Sequence, residues 1–143
     1  MRRIAFLFVA SVSLACAGTG AAVGSSNPTS AKVVVLAQDF DLAPGQAAVV
    51  DGGALNVTFD KVAEDSRCPS DVQCVWAGDG AVAMTVIPAG APRYPVTLHT
   101  TLTPKAVNSG PYQITLVGLK PYPKQGPKIP PATYVATLQI IRQ

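Results

Sequence analysis

The chain has 143 residues, of which 13% are charged and 48% hydrophobic, with a formal net charge of +3. That length fits one domain, and the balance excludes an acidic disordered chain or a nucleic-acid arm. Arg2 and Arg3 supply two of the 11 bases; without them nine bases face eight acids, too even a balance to predict nucleic acid or an anionic membrane surface as a partner.

The chain opens on "MRRIAFLFVASVSLACAG". Arg2 and Arg3 form a positive leader, and Ile4 to Leu14 is an apolar run too short to cross a bilayer as a mature helix. Small residues follow, which makes this an export signal. Two cleavage sites are open. "SLAC" resembles a bacterial lipobox, although Leu14 and Ser13 depart from its commonest form. Cleavage there leaves Cys16 as a lipidated N-terminus. Ala15-Cys16-Ala17 instead fits ordinary signal peptidase and would discard Cys16. The lipobox is favoured, because "GTGAAVGSSNPTSA" has the small, polar composition of a flexible tether. Ala17, next to Cys16, is not Asp, the pattern for sorting to an outer membrane. The expected organisation is a signal peptide over 1–17, a tether over 18–31 and a folded domain over 32–143.

From Lys32 onward the apolar pattern has period two. Two short runs come first, "KVVVLA" and "AAVV". "VVDGGAL" then predicts a tight hairpin around Asp51, Gly52 and Gly53. In "ALNVTFD", Leu55, Val57 and Phe59 alternate with Asn56, Thr58 and Asp60. Val82, Met84 and Val86 share a face in "AVAMTVI". Val96, Leu98, Thr100 and Leu102 share one in "PVTLHTTL", with His99 on the wet side. Tyr112, Ile114 and Leu116, and then Tyr134, Ala136, Leu138 and Ile140, complete the series. Such alternation marks strands with one buried and one solvated face. Turn residues punctuate the strands, and no stretch offers a helical stripe. The prediction is an all-β protein, an antiparallel β-sandwich (immunoglobulin-like or similar) of about seven strands.

All eight acids lie between Asp39 and Asp79, and six bases with no acid follow Gly80. Neighbouring strands whose charges meet account for this more simply than a bipolar surface that orients a partner. "KPYPKQGPKIPP" near the C-terminus reads as a stiff strand connection rather than a polyproline ligand, despite the Pro127–Pro130 spacing.

The unusual residues crowd into "EDSRCPSDVQCVWAGDG", from Glu64 to Gly80. With Cys16 removed or lipidated, Cys68 and Cys74 remain, and an exported chain predicts a disulfide between them. A continuous helix would hold their Cα atoms about 9 Å apart, at about 1.5 Å per residue. A disulfide allows about 7 Å at most, so the segment must fold back as a loop. Zinc and blue-copper sites need more His or Cys donors than two cysteines and His99 supply. Calcium has hard oxygen donors available in Glu64, Asp65, Asp71 and Asp79, without an ordered D-x-D-x-D-G series. Catalysis lacks a nucleophile motif beside the single histidine, so His99 reads as a surface residue and no enzyme is predicted. No cofactor is expected. Trp76 is expected to pack on the disulfide; exposed, it would be a contact anchor. Arg67 is expected to pair with Asp65 or Asp79 and lock the loop. An exposed Arg67 would make a docking or inhibitory loop.

The segment "FDKVAEDSRCPSDVQCVWAGDGAV", over residues 59–82, resembles a motif of small exported bacterial proteins, many of them lipoproteins, of the form F-x-x-V-x-E-D-S-R-C-P-x-x-V-x-C-x-W-A-G. The resemblance implies an exported, β-rich domain distinguished by this loop, and carries no activity with it. Three functions are therefore expected, in order. The first is a non-enzymatic module of the cell envelope, anchored through Cys16 and facing the periplasm, that binds a protein or surface component. Its candidate contacts are Asp65, Arg67, Trp76 and Asp79. The second is a secreted inhibitor-like protein acting through the Cys68–Cys74 loop. The third is a calcium-dependent binder or enzyme using the acidic cluster.

Overall fold

A computed structural model describes residues 31–143; the leader, Cys16 and the tether lie outside the described residues. Among the described residues nine strands form: β1 (Lys32–Val34), β2 (Asp39–Leu42), β3 (Ala47–Val50), β4 (Leu55–Asp65), β5 (Gly80–Pro88), β6 (Tyr94–His99), β7 (Ala106–Ser109), β8 (Tyr112–Lys120) and β9 (Val135–Arg142). They build two sheets, ordered β1-β3-β4-β5-β6 and β2-β9-β8-β7. Every pairing is antiparallel except β1 along β3. The protein is an all-β sandwich.

The alternation read from the sequence is the core. Leu55, Val57 and Phe59, then Val82, Met84 and Val86, face inward from one sheet with no exposed surface. Ile114, Leu138 and Ile140 meet them from the other, equally buried. Fully burying a side chain of this size contributes roughly 1.5–3 kcal/mol, so these rows supply most of the drive to fold. The Asp51-Gly52-Gly53 hairpin forms as expected, with Val50 opposite Leu55. Its three residues all have positive φ, which the two glycines adopt without steric cost.

Two strands exceed the seven expected. β2 (DFDL) and β7 (AVNS) are the edges of the second sheet. Both are short, and Asp and Asn are depleted in strands, so the local signal is weak. Pairing decides: Phe40 and Leu42 turn into the core while Asp39 and Asp41 bond Gln139 and Thr137 of β9. β6 is shorter than expected and stops at His99. Leu102, expected on the inner face, is exposed.

The segregated charges meet across the fold. Lys120 lies 3.9 Å from Asp41, and Arg142 lies 3.0 Å from Asp51. Two basic side chains of the C-terminal half thus lie by acids of the N-terminal half, Lys120 across the intervening β9 and Arg142 at the Asp51 turn, so neither pair joins directly hydrogen-bonded strands.

Candidate functional site

The loop between β4 and β5 leaves one end of the sandwich. Its stem continues the β4–β5 ladder beyond the strands. Ser66 N–H donates to Asp79 C=O at 2.7 Å, and Cys68 N–H donates to Ala77 C=O at 2.8 Å. Gly78 sits between these rungs at φ 67°, where a Cβ would lie 1.9 Å from the Ser66 carbonyl oxygen. Only glycine fits both the backbone angle and the contact. Cys68 and Cys74 come together at disulfide distance with Cα atoms 6.0 Å apart, so the segment between them folds back as expected.

Arg67 faces inward from this stem and is buried. Its Nε and one terminal nitrogen donate to the two oxygens of Asp65, each at 2.7 Å. The same terminal nitrogen donates to Pro121 C=O at 2.9 Å, and the other to Leu119 C=O. The guanidinium also lies 5.0 Å from the centre of the Tyr122 ring. Tyr134 O–H donates to Asp65 at 2.9 Å. One fork thus joins β4 to the end of β8 and to the start of β9, across both sheets. A planar, five-donor group suits this role, because each donor can be satisfied in a fixed direction. Burial opposes the ionised form of Asp65, yet the Arg67 and Tyr134 hydrogen bonds outweigh it and hold the carboxyl below its ordinary range. Burial and then the bond to Asp65 push the Tyr134 phenol up to about 12.

Asp79 organises the other side of the stem. Its Oδ1 accepts from the Thr101 and Leu102 amides at 2.9 and 3.3 Å. Its Oδ2 accepts from His99 Nδ1 at 2.6 Å, since an ionised carboxylate offers only acceptors. Burial opposes ionisation here too, but the bonds from His99, Thr101 and Leu102 hold the Asp79 pKa at about 2. This carboxylate is why β6 stops: the chain after His99 bends to bring two amides onto it. His99 is therefore not a plain surface residue. It is half-buried and paired, a partnership the strand pattern hid because it forms where the strand ends.

Trp76 corrects a second expectation. It does not pack on the disulfide. It is 81% exposed, beside Val75 at 87%. The locking alternative holds for Arg67, whose three side-chain nitrogens are all hydrogen-bonded inside the protein; a docking loop with Arg67 exposed is not what the chain builds. Asp65 and Asp79 are likewise engaged internally, so of the four candidate contacts only Trp76 is presented to solvent. The acids do not gather. Asp71 accepts from the Gln125 amide at 2.8 Å, away from Asp65 and Asp79, and among the described residues no three His, Cys, Asp or Glu side chains converge as ligands would.

A groove of about 490 Å³ lies beside the fork. Val62, Ala63, Glu64 and Asp65 of β4 line one side, and the proline-rich segment from Pro123 to Pro131 lines the other. No local pattern points to it, because its walls lie far apart in the chain. Ser70 N–H to Pro123 C=O at 2.9 Å, with the Asp71–Gln125 bond, holds the stapled loop against the proline-rich segment.

Comparison with protein-family models, with curated proteins and with solved structures gives no match.

Proposed function

We propose that this protein is an exported, lipid-anchored module of the cell envelope that binds a protein or surface component through the Val75–Trp76 tip. The observation that carries this is the exposure of Trp76 at 81% on a loop that is otherwise fixed. The loop is closed by Cys68 and Cys74, laddered at Ser66 and Cys68, and tied to the proline-rich segment at Ser70 and Asp71. A large aromatic group held rigidly in water loses little entropy on contact, which is what makes tryptophan an interface anchor. The leader and the lipobox-like Cys16 support export and anchoring, and a disulfide suits an oxidising compartment.

The test is photocrosslinking in cells from position 76, with position 93 at the opposite end of the sandwich as control. A discrete adduct from position 76 alone is expected; no adduct from 76, or equal adducts from both, overturns the reading. Cys16→Ser is expected to move the protein out of the membrane fraction.

A further inference from the structure

β4 is longer than its neighbour on one side. Its pairing with β3 runs from Leu55 to Thr58, and Phe59 closes it by bonding Gly45 and Gln46. Its pairing with β5 continues to Asp65. From Asp60 to Asp65, then, the edge of β4 away from β5 has no backbone partner among the described residues. Unpaired strand edges are templates for another strand.

The groove lies along this edge. Four consecutive β4 residues line it. The register with β5 shifts between Val62 and Glu64, so strict alternation does not hold among them, but all four belong to the stretch whose outer edge is unpaired. No residue of β5 lines it. The opposite wall explains why the protein does not fill the space itself. Pro123, Pro127 and Pro131 of that wall have no N–H to give, so the segment cannot offer a regular row of donors to the ladder. It stands off from β4 and leaves a slot.

We infer that this slot is a second binding site, which takes an extended acidic peptide as an added strand beside residues 62–65 of β4. The backbone edge supplies main-chain donors and acceptors, the recognition chemistry of strand addition. Val62 and Ile129 offer apolar contact to alternate side chains. Charge sets the preference. Asp65 is neutralised by Arg67, which leaves two lysines, Lys124 and Lys128, in the lining against Glu64, its one carboxylate without an ion pair among the described residues. The volume falls in the range of about 300–1,000 Å³ usual for ligand sites. This site is separate from the Val75–Trp76 tip and does not depend on it.

The probe is the peptide acetyl-Glu-Val-Glu-Val-Glu-amide, titrated into the folded domain and followed by amide NMR shifts. Its controls are the same peptide with alternate backbone nitrogens methylated, and the Lys-Val counterpart. Saturable shifts centred on residues 60–65 are expected, at least about tenfold weaker for both controls. K124E/K128E, two exposed substitutions outside the core, is expected to reverse the preference between acidic and basic peptides. Trp76→Ala is expected to leave binding unchanged, which separates failure here from failure of the tip. No binding at millimolar peptide overturns the site. Indifference to N-methylation overturns strand pairing, and indifference to the peptide's charge overturns the acidic preference.

Discussion

The stem and the tip of one loop invert the usual rule of burial. At the stem, charged side chains are inside: Arg67 is buried, and Asp65 and Asp79 are nearly so. At the tip, a few residues on, Val75 and Trp76 are outside. The stem is polar because it must join two sheets, and hydrogen bonds with fixed directions specify that joint better than apolar packing does. The tip is apolar, and no described residue covers it. Buried charge and exposed apolar surface thus occupy different ends of the same loop, and the comparison can be broken from either end.

The largest effect is expected at the fork. Arg67→Ala leaves Asp65 buried without its counter-charge and should cost about 3–5 kcal/mol, read from urea denaturation. A loss below about 1 kcal/mol would place the fork among surface pairs and remove it as the joint. Replacing Cys68 and Cys74 by serine should cost about 2 kcal/mol, the loop-closure cost of so short a ring, with the cores of both sheets retained. A complete loss of folding would mean that the staple, not the fork, carries this end.

Acid gives a smaller effect of defined sign. The Asp79 pKa is lowered from 3.8 to about 2, so its contribution is fully present above about pH 4 and lost as the pH falls toward 2. Discounted for its partial exposure, this amounts to on the order of 1–2 kcal/mol, and Asp79→Asn should flatten that part of the stability–pH curve. The smallest stability change is expected at the tip. Trp76→Ala should shift stability by no more than about 0.5 kcal/mol while abolishing the crosslink from a second probe placed at the exposed position 73. A larger destabilisation would show that Trp76 packs internally after all.

How much of this the sequence disclosed depends on the range of the interactions. Period-two alternation is local, so the rows through Phe59, Met84 and Leu138 could be read directly. The edges β2 and β7 could not, because their strand character comes from β9 and β8 rather than from their own residues. The fork was half legible. Asp65 and Arg67 are two residues apart, a spacing that proposes the pair, but Leu119, Pro121 and Tyr134 join from more than 50 residues away. His99 was misplaced for the same reason, since Asp79 reaches it across 20 positions. The position of Trp76 turned on whether the staple offered a surface to cover it. Cys74 is itself exposed, so there was no interior for the indole to enter.

The rungs at Ser66–Asp79 and Cys68–Ala77 also have a mechanical meaning. Both limbs of the loop leave the sandwich side by side, so a pull applied at Trp76 runs along β4 and β5 together. It does not peel one from the other. It loads their outer borders against β3 and β6 in shear, where the hydrogen bonds of a border must yield together and not one after another. Force at the tip is therefore carried into the sandwich as a whole, while the ring closed by Cys68 and Cys74 keeps the loop from paying out as slack.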